Sequence, residues 1–251
     1  MSSCFSGAAG KGGERAARRT VLEGTDKRRS HGILPPAASG GGEAGPSPAR
    51  ADAGEKREVP LDILLLGPQG AGKGTQGKLI SREYGIPHIA TGDILRAAIA
   101  AGTELGLKAE PILTSGLLVP DGLMIGLIRD RLAREDTERG FVLDGFPRTA
   151  VQAEALDEML GEIDRPLSVV FEFQLPEEMA VERLHRRAQE EGRADDTAEA
   201  IRTRLSLYHE QTAPLVEYYR ARGILVPLHA VRSVDEVFEE IQEALEQVAV
   251  R

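Results

Sequence analysis

The stretch Gly67-Pro68-Gln69-Gly70-Ala71-Gly72-Lys73-Gly74-Thr75 combines alternating glycines with a lysine and a hydroxyl. Where no Cβ intrudes, successive backbone N–H groups can converge on one point, and such a concavity attracts anions. The run follows an apolar segment, Leu61–Leu66, that reads as a buried strand. It opens an amphipathic stretch, Lys73–Tyr84, that reads as a helix, whose N-terminus adds partial positive charge. Strand, Gly-rich turn and helix together form the context of a phosphate cradle, with Gly70, Ala71, Gly72, Lys73, Gly74 and Thr75 on the phosphates. A Gly-rich turn with an incidental lysine is the alternative. The position after Lys73 is Gly74, so the hydroxyl that usually holds Mg²⁺ is displaced to Thr75. Mg²⁺ is therefore expected to rest on nucleotide oxygens and water, with no protein ligand. Asp144, ending the strand-like Phe141-Val142-Leu143, is the carboxylate placed to orient those waters.

Phosphoryl transfer concentrates negative charge that fixed cations must match. The basic side chains expected to converge are Lys73, Arg96, Arg148, Arg183, Arg187, Arg193 and Arg204. Arg148 lies in Asp144-Gly145-Phe146-Pro147-Arg148-Thr149, where Gly and Pro restrict the chain. Arg193 lies in Gly192-Arg193-Ala194-Asp195-Asp196, between two helical stretches.

The elements that must position these groups follow from periodicity. Strands are expected at Leu61–Leu66, Ile86–Ile89, Phe141–Leu143, Leu167–Phe173 and Ile224–Leu228. Between them fall helical stretches: Lys73–Tyr84, two within 92–115 broken around Gly102, Asp121–Glu135, Thr149–Leu160, and one from Pro176 to about Arg187. A long helix is expected over Asp196–Arg222 and a closing one over Ser233–Val248, with Ser233 and Glu236 as a capping box. Strands alternating with helices imply an α/β fold: a five-stranded parallel sheet covered on both faces, a three-layer sandwich.

Composition bounds the rest. The chain has 251 residues and a net charge of −9, which argues against a general nucleic-acid binder. Its one cysteine, Cys4, excludes an internal disulfide and every multi-cysteine zinc site, and suits a reducing compartment. No apolar run approaches the length of a membrane span. Residues 1–58 hold 11 Gly and 4 Pro with Phe5 as their one aromatic residue, and show no period of 3.6 or 2. Three readings of that stretch stay open: a disordered, solvated extension, a targeting peptide, and a misplaced start.

In four motifs and their order the chain resembles the adenylate kinases, short-lid members of the nucleoside monophosphate kinases. The motifs are Gly67–Gln76, Ala90-Thr91-Gly92-Asp93-Ile94-Leu95-Arg96, Asp144–Thr149 with Gln152, and Gly192–Asp196 with Arg204. Leu118-Val119-Pro120-Asp121 and Thr212-Ala213-Pro214-Leu215 also fit, and the likeness spans about Leu61–Glu243. The resemblance implies reversible phosphoryl transfer from Mg-ATP to AMP, giving two ADP, by a domain over 59–251 with an AMP-binding flap near 90–119 and a short LID near 184–196. By matching positions, ATP meets Gly70–Thr75, Arg183, Arg187 and the backbone at Arg232. AMP meets Thr91, Arg96, Leu117, Leu118, Val119, Gly145, Phe146, Pro147, Arg148 and Gln152, with Arg193 and Arg204 bridging the phosphates. The catalytic groups implied are Lys73, Arg148, Arg193, Arg204 and Asp144.

The attacking phosphate oxygen is already anionic, so no general base is required, and His88, His185, His209 and His229 receive no catalytic role. Water would compete as acceptor, so LID and flap are expected to close first, with Gly92 and Gly192 as candidate hinges. The Gln152 amide can pair with adenine's edge, which favours AMP; UMP/CMP is the alternative acceptor class. A nucleotide-binding module without turnover is the alternative outside enzymology. A cytoplasmic monomer is expected, or an organellar enzyme if residues 1–58 are a transit peptide.

Overall fold

The computed structural model describes residues 60–193 and 195–248, so the readings of residues 1–58, Cys4 included, lie outside the described residues. Strand β1 (Leu61–Leu66) is the centre of the sheet, and Ile63, Leu64, Leu65 and Leu66 are all buried. It is flanked by β3 (Gly140–Asp144) and β4 (Val169–Gln174), with β2 (His88–Ala90) and β5 (Leu225–His229) at the edges. The order β2-β3-β1-β4-β5 is parallel throughout. The fold is α/β, as the alternating pattern implies.

Both faces of β1 are apolar because both are covered. Ile63 and Leu65 pack with Ile80 of helix α1 (Lys73–Tyr84) and with Val237, Ile241 and Leu245 of α9 (Val234–Val248). Leu64 and Leu66 face the other layer. It is built from α2 (Thr91–Ala100), α3 (Glu104–Thr114), α4 (Asp121–Leu132), α5 (Ala150–Gly161) and α8 (Pro214–Arg220). A satellite cluster of Ala180, Leu184, Ile201 and Leu205 joins α6 (Glu177–Glu191) to α7 (Ala198–Leu207).

Register sets the site. Leu65 pairs with Asp144, Ala90 pairs with Asp144, and Leu66 pairs with Glu172, so the carboxyl ends of four strands lie level. The chain leaves β1 for β2 on one side and crosses from β3 to β4 on the other. A crevice therefore opens beyond β1, the usual ligand position in such sheets.

Several element boundaries differ from the sequence reading, and three of the differences have a visible physical cause. The long helix expected over Asp196–Arg222 is three pieces: α7, one π-helical turn (Tyr208–Thr212), and α8. Pro214 has no N–H to continue a ladder and sits at the first position of a new helix. Helix α6 runs past Arg187 to Glu191, where Gly192 stops it in a left-handed conformation (φ 62°). Strand β2 begins at His88 rather than Ile86, and the Pro87 carbonyl accepts from Val142 N–H at 2.9 Å. The capping box is formed: Ser233 N–H donates to Glu236 Oε2 at 2.9 Å, and Glu236 N–H donates to Ser233 Oγ at 3.3 Å.

At the end of the sheet remote from the crevice, Asp62 is 1% exposed. Its carboxylate accepts from Arg165 Nε at 3.1 Å and Nη2 at 2.6 Å, and Nη2 also donates to the Thr137 carbonyl. Burial still pushes the Asp62 carboxyl above its ordinary value, against the lowering effect of Arg165. Arg165→Leu strands that charge and is expected to cost about 3 kcal/mol in urea unfolding at neutral pH. The loss should shrink in acid, because the stranded carboxyl then takes up a proton in the folded state earlier than in the unfolded one.

Candidate active site

Between β1 and α1 the chain makes a tight loop that calls for glycine at three points, Gly67, Gly70 and Gly72, all at positive φ. Gly70 has φ 83°, and a Cβ there would stand 2.8 Å from the Ala180 carbonyl oxygen. Gly72, at φ 92°, is the residue before α1. Lys73 turns back over the loop and donates from Nζ to the carbonyls of Gly67 and Pro68, both at 2.8 Å. Burial pushes its ammonium down to about 8; Asp144 pulls it up, and Arg148 and Arg187 push it down. A lysine so placed gains most from an anion delivered to it.

Asp144 ends β3 opposite the loop, its Oδ2 3.7 Å from where a Cβ on Gly74 would be. Burial alone would raise this carboxyl, but His88, Lys73 and Arg148 outweigh it, and the group ionises below the usual carboxylate range. His88 Nε2 stands 3.7 Å from Asp144 Oδ2, beyond hydrogen-bond reach, so its influence is electrostatic. Thr91 Oγ1 donates to the Asp144 carbonyl at 3.3 Å and tethers the start of α2 to the end of β3.

The arginines come from three helices and two connections, and two of them, Arg187 and Arg204, are held by carboxylates on the α6–α7 connection. Arg187 donates from Nε and Nη2 to Asp196 at 2.8 and 2.9 Å. Arg204 donates to Asp196 at 2.6 Å, to Asp195 at 2.7 Å and to the Leu113 carbonyl at 3.1 Å. Arg96 lies 3.9 Å from Asp195 and pairs with Asp93, while Arg193 donates to Glu191 at 2.6 Å. Arg148 donates from Nε to the Gly145 carbonyl at 2.8 Å. Burial lowers its pKa, Asp144 opposes this, and the nearby Arg204 and Arg96 add to it. This cleft therefore holds positive charge under strain before any ligand enters.

A cleft of about 550 Å³ is lined by Gly70, Ala71, Gly72, Lys73, Gly74, Thr75, Arg96, Leu117, Asp144, Gly145, Pro147, Arg148, Arg183, Arg187, Arg193, Arg204 and Arg232. Five other residues singled out from the sequence are not part of that lining: Thr91, Leu118, Val119, Phe146 and Gln152. Gln152 is 2% exposed, and its amide is engaged on both sides: Oε1 accepts from Arg148 N–H at 2.8 Å, and Nε2 donates to Asp121 at 2.7 Å. Sequence reasoning missed several contributors. Tyr208 and Thr212 reach the cleft from the π-helical turn, and Thr212 Oγ1 donates to the Arg148 carbonyl at 2.9 Å. Gln76 Nε2 donates to the Val234 carbonyl at 2.7 Å, tying α1 to the start of α9. Thr212 sits in a recognisable Thr-Ala-Pro-Leu string; Tyr208 carries no such signal. Among the described residues, no group of three or more His, Cys, Asp or Glu is placed to hold a metal, and no helix is long and apolar enough to cross a membrane.

Against known proteins, the sequence model of a family described as adenylate kinase matches residues 65–224. The adenylate kinase of Xanthomonas euvesicatoria pv. vesicatoria (strain 85-10) is 48% identical over 185 residues, covering 74% of this chain and 99% of that protein. That of Bifidobacterium longum (strain NCC 2705) is 48% identical over 186 residues, covering 74% and 100%. That of Methanosarcina barkeri (strain Fusaro / DSM 804) is 44% identical over 215 residues, covering 75% and 100%.

The depressed ammonium of Lys73 has a measurable consequence. An anion bound in the loop favours the charged lysine, so its pKa must rise on binding. Inorganic triphosphate is expected to bind with proton uptake between about pH 8 and 9, and its affinity should fall as pH rises through about 8. Calorimetry in two buffers of different ionisation enthalpy checks this. Equal apparent enthalpies would remove Lys73 as the responding group.

Proposed function

This chain belongs to the adenylate kinase family and is an ATP:AMP phosphotransferase, and from that premise we propose how its cleft divides the work. ATP lies on the loop Gly70–Thr75, with Arg183 and Arg187 on its phosphates and the backbone near Arg232 beside its adenine. AMP lies under the flap of residues 90–119, against Thr91, Arg96, Leu117–Val119 and Gly145–Arg148, with Gln152 reading its base. Arg193 and Arg204 span the two sets of phosphates. The observation that carries this reading is the shared wall: the loop, Lys73, Asp144 and the arginines all line one cleft.

The reaction asks little covalent chemistry of the protein. A phosphate oxygen of AMP attacks the terminal phosphorus of ATP, the bond to the bridging oxygen breaks, and ADP leaves. Lys73, Arg148, Arg193 and Arg204 neutralise charge on the migrating group and hold donor and acceptor in line. As phosphates arrive, the guanidiniums of Arg187 and Arg204 exchange Asp195 and Asp196 for phosphoryl oxygens, which couples binding to closure of the LID (184–196) and flap. Closure excludes water, the competing acceptor.

The residues present suit Mg²⁺ carried in with ATP. One ionised, buried carboxylate faces the loop, and a hard cation that keeps several waters needs only that beside the nucleotide oxygens. Asp144 would hold it through water, with the Thr75 hydroxyl nearby, and the ion would supply charge neutralisation on the donor phosphates. We take residues 59–251 as the catalytic domain, working as a monomer because the cleft is completed by one chain. A cytoplasmic setting fits the single cysteine.

The reading is tested by coupled phosphotransfer from Mg-ATP to AMP, UMP, CMP and GMP in turn. Turnover is expected with AMP far above the others. Lys73→Ala should lower kcat by about 10²–10³, the cost of removing one preorganised electrostatic group. Near-normal turnover in that variant would overturn the assignment of the loop.

A further inference from the structure

A glutamine amide has nearly the same shape either way round, and only its hydrogen bonds decide which end is oxygen. At Gln152 two partners decide it. The Arg148 N–H can only donate, and it meets Oε1 at 2.8 Å. The Asp121 carboxylate can only accept, and its Oδ1 meets Nε2 at 2.7 Å. The neighbouring hydroxyl cannot substitute for either. Thr149 Oγ1 accepts from Gln152 N–H at 3.2 Å as the cap of α5 and gives its own proton to Asp121 at 3.1 Å. An inverted amide would set oxygen against carboxylate and N–H against N–H, deep in a site that is 2% exposed.

We infer that Asp121 is a positioning residue that fixes the orientation of the Gln152 amide and thereby sets the choice between amino and oxo purines in the acceptor monophosphate. The inference rests on Gln152 reading the base. With its two fixed bonds made, the amide keeps one N–H and one lone pair. Adenine offers the matching pair at its six-membered ring, a donor at the exocyclic amine and an acceptor at the adjacent ring nitrogen. Hypoxanthine and guanine reverse the order: an oxo acceptor, then a ring N–H donor. A free amide would accommodate them by turning over. One held by Asp121 on one side and a backbone N–H on the other cannot, so a 6-oxo base leaves buried polar groups facing their own kind. Asp121 carries this role from the first position of α4, separated by Pro120 alone from the stretch Leu117–Val119.

The test compares AMP with IMP, whose bases differ only at this edge, in the full-length chain, Asp121→Asn and Gln152→Ala. The readout is the ratio of kcat/KM for AMP to that for IMP, which general loosening of the fold does not shift towards one base. An asparagine at 121 can face the amide with either end, so only the Arg148 N–H still opposes inversion. The ratio is expected to fall about tenfold or more in Asp121→Asn, and also in Gln152→Ala. A fall in Gln152→Ala with an unchanged ratio in Asp121→Asn overturns the role of Asp121 and leaves Gln152 as the reader. An unchanged ratio in Gln152→Ala overturns base reading by Gln152 and this inference with it. If Asp121→Asn does not fold, Asp121→Ser, which can also donate or accept, is measured the same way.

Discussion

Several guanidiniums and one ammonium share a partly desolvated cleft, and their mutual repulsion is the constraint around which the site is arranged. Asp196 answers most of it. Its side chain is fully buried and serves Arg187 and Arg204 together, while Asp195 serves Arg204 and lies within reach of Arg96. Truncating either acid would leave cations facing one another, so these carboxylates belong to the machinery although they would repel a phosphate. Lys73 answers differently. It leans on two carbonyls, and burial brings its ammonium close to discharge near pH 8. The site is thus an electrostatic trap of moderate depth, with carboxylate counter-ions that polyphosphate can displace.

Keeping the charges in register requires a rigid base, and the parallel sheet supplies it. Strands β1, β3 and β4 are buried on both faces, so their carboxyl ends cannot move without opening the core. The phosphate loop, Asp144 and the Gly145–Thr149 turn all grow from those ends. The remaining cations sit on segments outside that floor. Arg183 and Arg187 ride on α6, and Arg193 follows its glycine stop. Arg96 rides on α2, at the start of the flap. A fixed floor with cations on two separate walls suits a reaction that needs exact placement only after both substrates are in.

The sequence carried the floor of this site more fully than its supports. Gly-rich loops, strand-terminal acids and Gly-Phe-Pro-Arg turns announce themselves, because backbone conformation there admits few residues. The cleft wall accordingly contains Lys73, Asp144, Arg148 and Arg204. Hydrogen-bond partners distant in sequence leave no local signal. Nothing around Asp121 points to Gln152, 31 residues away, and nothing in Gln76 points to Val234. The π-helical turn was invisible for another reason. Ile201, Leu205 and Tyr208 keep a helical spacing up to its first residue, so periodicity carries one long helix on to where Pro214 and the Thr212 hydroxyl impose a break.

Arg148 is where these supports meet. Its backbone N–H is given to Gln152, its carbonyl receives the Thr212 hydroxyl, its Nε holds Gly145, and its guanidinium faces the cleft. Any movement of the Gln152 amide is therefore felt by the backbone of Arg148, the arginine that the proposed mechanism sets on the migrating phosphoryl group. On this arrangement, base recognition and phosphate placement are not separate tasks carried out at two ends of AMP. A base that satisfies Gln152 leaves the Arg148 backbone in its resting geometry. One that pulls the amide away weakens the bond that orients the cation. If Gln152 reads the base as proposed, binding energy there, remote from the reacting atoms, is in this way converted into orientation at phosphorus, where it lowers the barrier rather than merely tightening the complex.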